Sequence, residues 1–460
     1  MKICSLYGAG FYYIPGTDMC LKIGGWVRAE ETYGNGNSMT FGPFASGYNA
    51  RTTNNDFVMR TRGYITADAR NQSEYGTIRS YIAVGVNYDS PAGSTFSSNR
   101  AFIQFAGFTF GTSQSFFDFY SSPATAYWGG APSSDTGDPG WKLAAYTAQF
   151  GNGLSSTLSV EEPRQTGVFN GGSSAAGVVA GSQAIAVLGG LPGATDAAAG
   201  GGTTMPDFVA NLRVDQAWGS AQIMGAVHHV NSGYYGATNA TSLTLNGHPS
   251  DAYGYALGAG IKLNAPMIGQ GDYFQSQVNY TVGATRYASF TENGSLSPAA
   301  INGGNVGFGW MMDGVYGGSI AAGTGTSVQL TTMWGVDAAY EHFWNRQWRT
   351  SLYGGYLGTS YNAVANQIIC ASQIGAVVAA RVACNENWNQ WWIGSRTQWN
   401  ITPDTYLGLD VFYQRLQTAT VGFTPVIASP GGGTTPGGIY NVGDQGQLSF
   451  RFRAHKDFYP

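Results

Sequence analysis

"CLKIGGWVRAEETYG", residues 20–34, alternates between two kinds of side chain. Leu21, Ile23, Gly25, Val27 and Ala29 fall on one face, and Lys22, Gly24, Trp26, Arg28 and Glu30 fall on the other. A period of two is that of a β-strand, with one apolar face and one face carrying charge of both signs. In a soluble sheet the apolar face packs on a protein core. In an outer-membrane barrel it meets lipid, and the charged face lines a water-filled lumen. The rest of the chain decides between these solvents.

Of 460 residues, 22 are Lys or Arg and 26 are Asp or Glu, so charged residues make up 10%, against roughly 25% in a typical soluble domain. That is too little charge to cover a cytosolic surface. No run approaches the ~18 consecutive apolar residues of a membrane helix. The 68 Gly, 28 Tyr, 24 Phe and 12 Trp suit curved strands, polar loops and aromatic belts. The formal charge of -4 and the lack of a basic tract exclude nucleic acid as a partner. Met1-Lys2 runs to Cys4 without the apolar core of a signal peptide, so the chain reads as a mature exported form. The four cysteines fall into two local pairs, Cys4 with Cys20 and Cys370 with Cys384. In an oxidising compartment each pair would close a short loop; the alternative is four free thiols, and no metal or cofactor site is expected.

The alternation recurs in sixteen segments, from 20–31, 57–71 and 75–88 to 388–401, 405–420 and 446–456. This predicts an all-β fold, a transmembrane antiparallel β-barrel of about sixteen strands. Connections alternate between tight ("GNG", "WGS", "TPD") and long and polar, as at the periplasmic and extracellular ends of such a barrel. Two long ones, 165–205 and 421–445, are low-complexity Gly/Ala/Ser/Pro stretches that could not build a second core, so residues 1–460 read as one domain. Trp218, Trp344, Trp348, Tyr33, Tyr88 and the cluster Trp388, Trp391 and Trp392 stand at strand ends, where interfacial belts would lie.

Carrying the alternation forward places Lys22, Arg28, Arg60, Arg62, Arg79 and Arg100 on the face opposite the apolar one. In the last strand, "QLSFRFRAH", Arg451 and Arg453 join them, and barrel closure sets that strand beside the first. The expectation is a contiguous basic wall facing water, because so many unpaired charges could not be buried. Opposite it, residues 113–140, "SQSFFDFYSSPATAYWGGAPSSDTGDPG", form the third long connection. This stretch resembles the constriction loop of general porins. Asp118 is expected to face the arginines, and Asp138, in "TGDPG", reads as a turn former.

Four stretches, "CSLYGAGFYYIPGTDMCLKIGGWVRAE" (4–30), "RAFIQFAGFTFGTSQSFFDF" (100–119), "NRQWRTSLYGGY" (345–356) and "RFRAHKDFYP" (451–460), are similar to the general porins of alpha-proteobacteria, the rhizobial and Brucella-type family. The resemblance implies a sixteen-stranded barrel among the lipid and lipopolysaccharide of the outer membrane. It also implies a homotrimer and passive diffusion of ions and small hydrophilic solutes. A substrate-specific channel for a sugar or an anion is the alternative, kept open by the aromatics of 116–128. An enzyme is not expected, since none of His228, His229, His248, His342 and His455 lies in a nucleophile motif and the rings of His228 and His229 point to opposite faces of a strand.

Overall fold

The structure, a computed structural model, describes residues 3–34, 57–90, 93–128, 134–171, 203–235, 247–290, 298–302, 304–318, 323–372, 385–421, 426–427 and 438–460. Sixteen strands close into an antiparallel barrel: β1 (Cys20–Tyr33), β2 (Phe57–Ser73), β3 (Gly76–Asp89), β4 (Gly93–Phe105), β5 (Phe108–Ser113), β6 (Trp141–Gly151), β7 (Leu154–Glu161), β8 (Asp207–Gln216), β9 (Gly219–Val230), β10 (Ala252–Asn264), β11 (Tyr273–Val282), β12 (Thr332–Phe343), β13 (Trp348–Ser360), β14 (Trp388–Thr402), β15 (Thr405–Gln417) and β16 (Gln445–Asp457). Each strand pairs with its neighbour in sequence, and β16 pairs with β1, Arg28 opposite His455 and Glu30 opposite Arg453. Closure of the ring leaves no free edge strand, as a lipid environment demands.

The tight connections follow from local chemistry. At the β6–β7 turn, Asn152 and Gly153 both have positive φ, 51° and 74°, the backbone that an Asn-Gly hairpin adopts at little cost. The long connections lie at the opposite end, with one exception. Residues 90–92 are all that separate β3 from β4, because β4 begins at Gly93; the period of two predicts a strand over 99–106, and the Ser/Thr-rich 93–98 extends it.

Face assignment follows the alternation throughout. Ile23, Val27, Ile65, Ile82, Ile103, Phe450 and Phe452 are exposed on the outer surface, while Arg62, Tyr64, Asp68, Arg451 and Arg453 point inward and are buried. Trp218, Trp344, Trp348, Tyr33 and Tyr88 are exposed at the strand ends, as belts require. The cluster at the start of β14 departs from that expectation: Trp388 and Trp392 are buried inside the barrel, and only Trp391 takes the outward parity. Their even positions share the inner face with Gln390 and Arg396.

They are inside because the lumen is not empty. Val306, Phe308, Trp310, Met312 and Val315, from connection 283–331, have no exposed surface and pack on Trp388, Trp392, Phe412 and Leu416 of the inner wall. A helix, α1 (Ala363–Ser372), adds Ala365 and Ile369 to the same cluster. The hydrophobic core thus lies within the barrel, against β12 to β15. Outside the sheet's other end, Cys4 and Cys20 form a disulfide that staples segment 3–19 to β1. Cys370 is disulfide-bonded, and Cys384, which the sequence pairs with it, lies outside the described residues. So does most of the low-complexity stretches 165–205 and 421–445.

Candidate functional site: the loop-lined lumen

Residues 114–128 leave β5 and cross the inner wall. The backbone N–H of Phe116 donates to Glu161 of β7 at 3.1 Å, and Asn211 of β8 donates to the Phe116 carbonyl at 2.7 Å. Gln277 of β11 accepts from the N–H groups of Phe119 and Tyr120 at 2.8 and 2.7 Å. Further along, Arg396 of β14 donates to the Ala124 carbonyl at 3.0 Å, and Asp410 of β15 accepts from the Tyr127 N–H at 2.6 Å. Each bond satisfies a loop backbone group that could otherwise not be buried. The chain returns through 134–140 beside its own start.

Two inner positions make room for this path. A Cβ at Gly408 would overlap the hydroxyl and ring of Tyr127, and one at Gly260 would overlap Phe119. Glycine there is what lets the loop lie flat on β15 and β10.

Arg451 and Arg453, expected in the open wall, are instead roofed by the loop. Both donate to the Tyr127 carbonyl, at 3.0 and 2.7 Å, and their guanidinium groups lie 4.1 Å over the rings of Trp128 and Tyr127. Arg453 also pairs with Glu30 at 2.5 Å. They hold the tip of the loop. Asp118 likewise does not face the wall. Its side chain has no exposed surface and pairs at 2.8 Å with Arg164, itself fully buried, while Ser134 Oγ and the Thr136 N–H donate to it at 2.9 and 2.8 Å. A carboxylate in such a nest closes the base of the loop. The residue that does reach across is Asp138, whose side chain keeps 44% of its surface exposed and lies 3.7 Å from Arg62. Buried Asp135 accepts from the N–H groups of Ser122 and Gly137 at 3.0 and 2.7 Å. Its burial, with the nearby Asp118 carboxylate adding to it, pushes the Asp135 carboxyl up to about 7 despite those two donors.

The loop's polar contacts run along β7 to β16, and the inner faces of β1 to β4 keep the arginines. Cross-strand register sets Arg28 beside Arg62, and Glu30 beside Arg60. Carboxylates of the same alternation stand among them, so the wall is not uniformly basic. Arg60 pairs with Asp89 at 2.5 Å, and Arg70 and Arg79 both pair with Asp68, at 2.7 and 3.0 Å. Arg70, a residue not singled out from sequence, follows from the same even parity in β2. Arg100 donates to the carbonyl of Asn99 at 2.6 Å. Lys22 lies toward the short-turn end, its Nζ 3.4 Å from the Ala9 carbonyl. The structure therefore brings Arg28, Arg60, Arg62 and Arg100 into one neighbourhood with Asp138, and leaves Lys22 and Arg79 nearer the mouth where the stapled segment 3–19 sits.

The Porin_2 family model, described as the porin subfamily, matches residues 1–448. Among curated relatives, a putative outer membrane protein, y4fJ, of Sinorhizobium fredii is 32% identical over 125 residues, covering 26% of this chain and 34% of that protein. Porin Omp2b of Brucella suis is 27% identical over 234 residues, 48% of this chain and 54% of its own length. The chain thus spans about a third to a half of the length of these relatives. A solved structure, the outer membrane channel DcaP of Acinetobacter baumannii, superposes with a TM-score of 0.57 at 14% identity, covering 97% of this chain and 99% of that one.

Proposed function

From the chain's membership of the porin subfamily, we propose that it is a general diffusion porin: a passive, water-filled channel that carries ions and small hydrophilic solutes across the outer membrane. The observation that carries this reading is the loop-lined lumen. A closed barrel with an apolar outer surface holds a fixed inner loop on one side and an arginine-bearing wall on the other, with Asp138 reaching Arg62 across the gap. Charges of opposite sign on facing sides of a wet constriction create a transverse field that orients dipolar solutes and sorts ions. Arg28, Arg60, Arg62 and Arg100 line this constriction in our reading, and residues 113–140 narrow it. The whole chain acts as one unit, a channel and not a catalyst.

The assembly we propose is a homotrimer joined through the outer face of β1 to β5. Trp334, Tyr280, Tyr253, Trp348 and Trp399 ring the outer surface of β10 to β14 at both ends, as lipid headgroups favour. The outer faces of β1 to β5 have no tryptophan and, among apolar side chains and the tyrosines Tyr33 and Tyr88, expose Glu31, Thr61, Ser80 and Ser98, polar groups that a neighbouring protein surface could pair and acyl chains could not.

Planar-bilayer conductance across a salt gradient tests the function. Openings in steps of three are expected, and the double variant Arg60→Ala/Arg62→Ala should shift the reversal potential toward cations. A protein silent at every voltage and salt concentration would end the porin reading.

A further inference from the structure

At its short-turn end the lumen face of β1 carries a loop. Cys20, the first residue of that strand, has the even parity of Lys22, Trp26 and Arg28, so its disulfide to Cys4 rises on the lumen side of the wall. β16 pairs with β1 only from Trp26 to Tyr33, and past its end Tyr12 and Tyr13 pair with Leu21 and Cys20. The segment before them doubles back, the Cys4 N–H donating to the Phe11 carbonyl at 3.0 Å. Residues 5–11 therefore form a short loop with both ends fixed to β1, one by the disulfide and the other by the ladder.

The wall itself holds this loop. Lys22 Nζ donates to the Ala9 carbonyl at 3.4 Å and lies 6.0 Å over the Phe11 ring. The Arg70 guanidinium of β2 lies 5.0 Å over Phe11 and 5.8 Å over Tyr7. Lys22 and Arg70 both belong to the lumen face, so a loop packed on them stands inside the opening and not around its rim. Phe11 is buried there with Cys4 and Cys20. Gly10, with φ of 84°, passes so close to Pro460 that a Cβ would lie 2.8 Å from its ring, and a Cβ on Gly24 would overlap Tyr459. Loop and residues 459–460 together cover the lumen face of β1 from Cys20 to Gly24. The tip of the loop differs: Gly8 and Ala9 are exposed, and a Cβ on Gly8 would meet nothing within 4 Å.

We propose that loop 5–11 is a second filter of the channel, on the short-turn side of Arg28 and Arg62 and separate from residues 113–140. Ala9 stands at the path, Phe11 on Lys22 and Arg70 is the anchor, and the Cys4–Cys20 disulfide holds the loop across the opening. A loop crossing a water-filled mouth removes cross-section, and a charge on its tip acts on ions within a Debye length, about 10 Å at 0.1 M salt. The proposal rests on the reading of the lumen as a water-filled path and adds to it a determinant of solute size and charge.

Charge at Ala9 is the direct test, because its side chain takes part in none of these contacts and the disulfide stays whole. In planar bilayers under a KCl gradient, Ala9→Glu should move the reversal potential toward cations and Ala9→Lys toward anions, changing the permeability ratio about twofold in opposite directions. Gln270→Glu puts the same charge on the exposed turn between β10 and β11 at the same mouth, and should leave the ratio at its wild-type value. Swelling of vesicles in arabinose and in raffinose tests size. Ala9→Trp should slow raffinose about threefold more than arabinose, and Cys4→Ser/Cys20→Ser should speed raffinose relative to arabinose. Circular dichroism and heat-modifiable migration report the folded barrel; should the double serine variant fail to fold, the Ala9 variants still decide. A permeability ratio unchanged in both Ala9 charge variants, or changed as much by Gln270→Glu, would overturn the filter while the wild type conducts. A silent wild type would end the channel reading itself.

Discussion

Asp118 and Asp138 exchange the roles their sequence contexts suggest, and the reason is what stands next to each in space. Asp118 meets Arg164, which lies 46 residues further along, and a buried ion pair leaves a large penalty when one partner goes. Arg164→Ala should therefore destabilise the protein by about 3–5 kcal/mol, as breaking a buried pair does, and Asp118→Asn should be comparably costly, since both carboxylate oxygens accept hydrogen bonds and Arg164 would be left buried without its counter-charge. Thermal unfolding of both variants checks this, and a loss within experimental error for Arg164→Ala would remove Asp118 as the anchor. Asp135 makes a pH-dependent counterpart. Its folded-state value, about 7, lies above the ordinary 3.8. Its contribution to loop stability is therefore complete below the ordinary value and is lost as pH rises through about 7. Hydrogen exchange at the Ser122 and Gly137 amides, corrected for intrinsic rates, should show weaker protection at pH 8 than at pH 5 in the wild type. Asp135→Asn should remove that difference; an equal difference in the variant would assign it to another group. The period of two in β1 to β4 puts Arg28, Arg60, Arg62 and Arg79 on the face opposite the exposed Ile23, Val27, Ile65 and Ile82. The partners were not legible, because Glu30, Asp68 and Asp89 are chosen by cross-strand register, and Arg164 by a loop path that has no period.

Strands were the most readable elements, since a lipid-facing wall enforces the period of two along the whole of each one. Where that constraint relaxes, the reading fails. Residues 93–98 of β4 extend the strand at its long-loop end, where their Ser and Thr side chains need not match acyl chains, so polarity there did not signal a loop. Trp388 and Trp392 belong to the inner face of β14, and aromatic content alone cannot say whether a tryptophan serves a belt or a core. Glycine at inner positions is the better signal for a chain that crosses the lumen, and Gly408 on β15 is the sharpest case. Valine there would strengthen the strand by propensity and would drive its side chain into Tyr127. Tyr127 must then leave, with the Asp410 and arginine bonds that hold it. Gly408→Val should keep the β-barrel spectrum and raise single-channel conductance, with added current noise from the freed tip. Conductance equal to wild type would show that the loop does not narrow the path at Tyr127.

At the scale of the molecule, a barrel is usually held by its ladder, and its lumen is left to water and polar side chains. Here a second source of stability lies inside. The Trp310 indole donates to Glu386 at 2.9 Å, and its carbonyl accepts from Tyr361 at 2.6 Å and from Trp388 at 2.7 Å, so one residue joins two connections, 283–331 and 361–387, to the wall. On the other side of the lumen, His228 of β9 bonds Asp207 at 2.6 Å and approaches Asp313 at 3.5 Å, tying the segment after Trp310 to the barrel. In the proposed channel this would leave the path on the side of β1 to β5, beside the arginines. None of this was read from the long connections: Val306, Phe308, Trp310 and Met312 alternate like a strand and Ala365 and Ile369 stand one helical turn apart, but nothing in that pattern says that the barrel encloses them as a core. Trp310→Ala should cost about 3–5 kcal/mol, the range for emptying a large buried aromatic site, while the strand ladder, which Trp310 does not enter, stays intact. The two properties separate in one experiment. The far-ultraviolet β-signal of the variant should match the wild type at room temperature, its unfolding midpoint should fall, and its single-channel current should rise as the released segments admit water on the β12 to β15 side. A lowered midpoint with unchanged current would mean that the interior core stabilises the barrel without confining the path, and the narrowing would then belong to residues 113–140 alone.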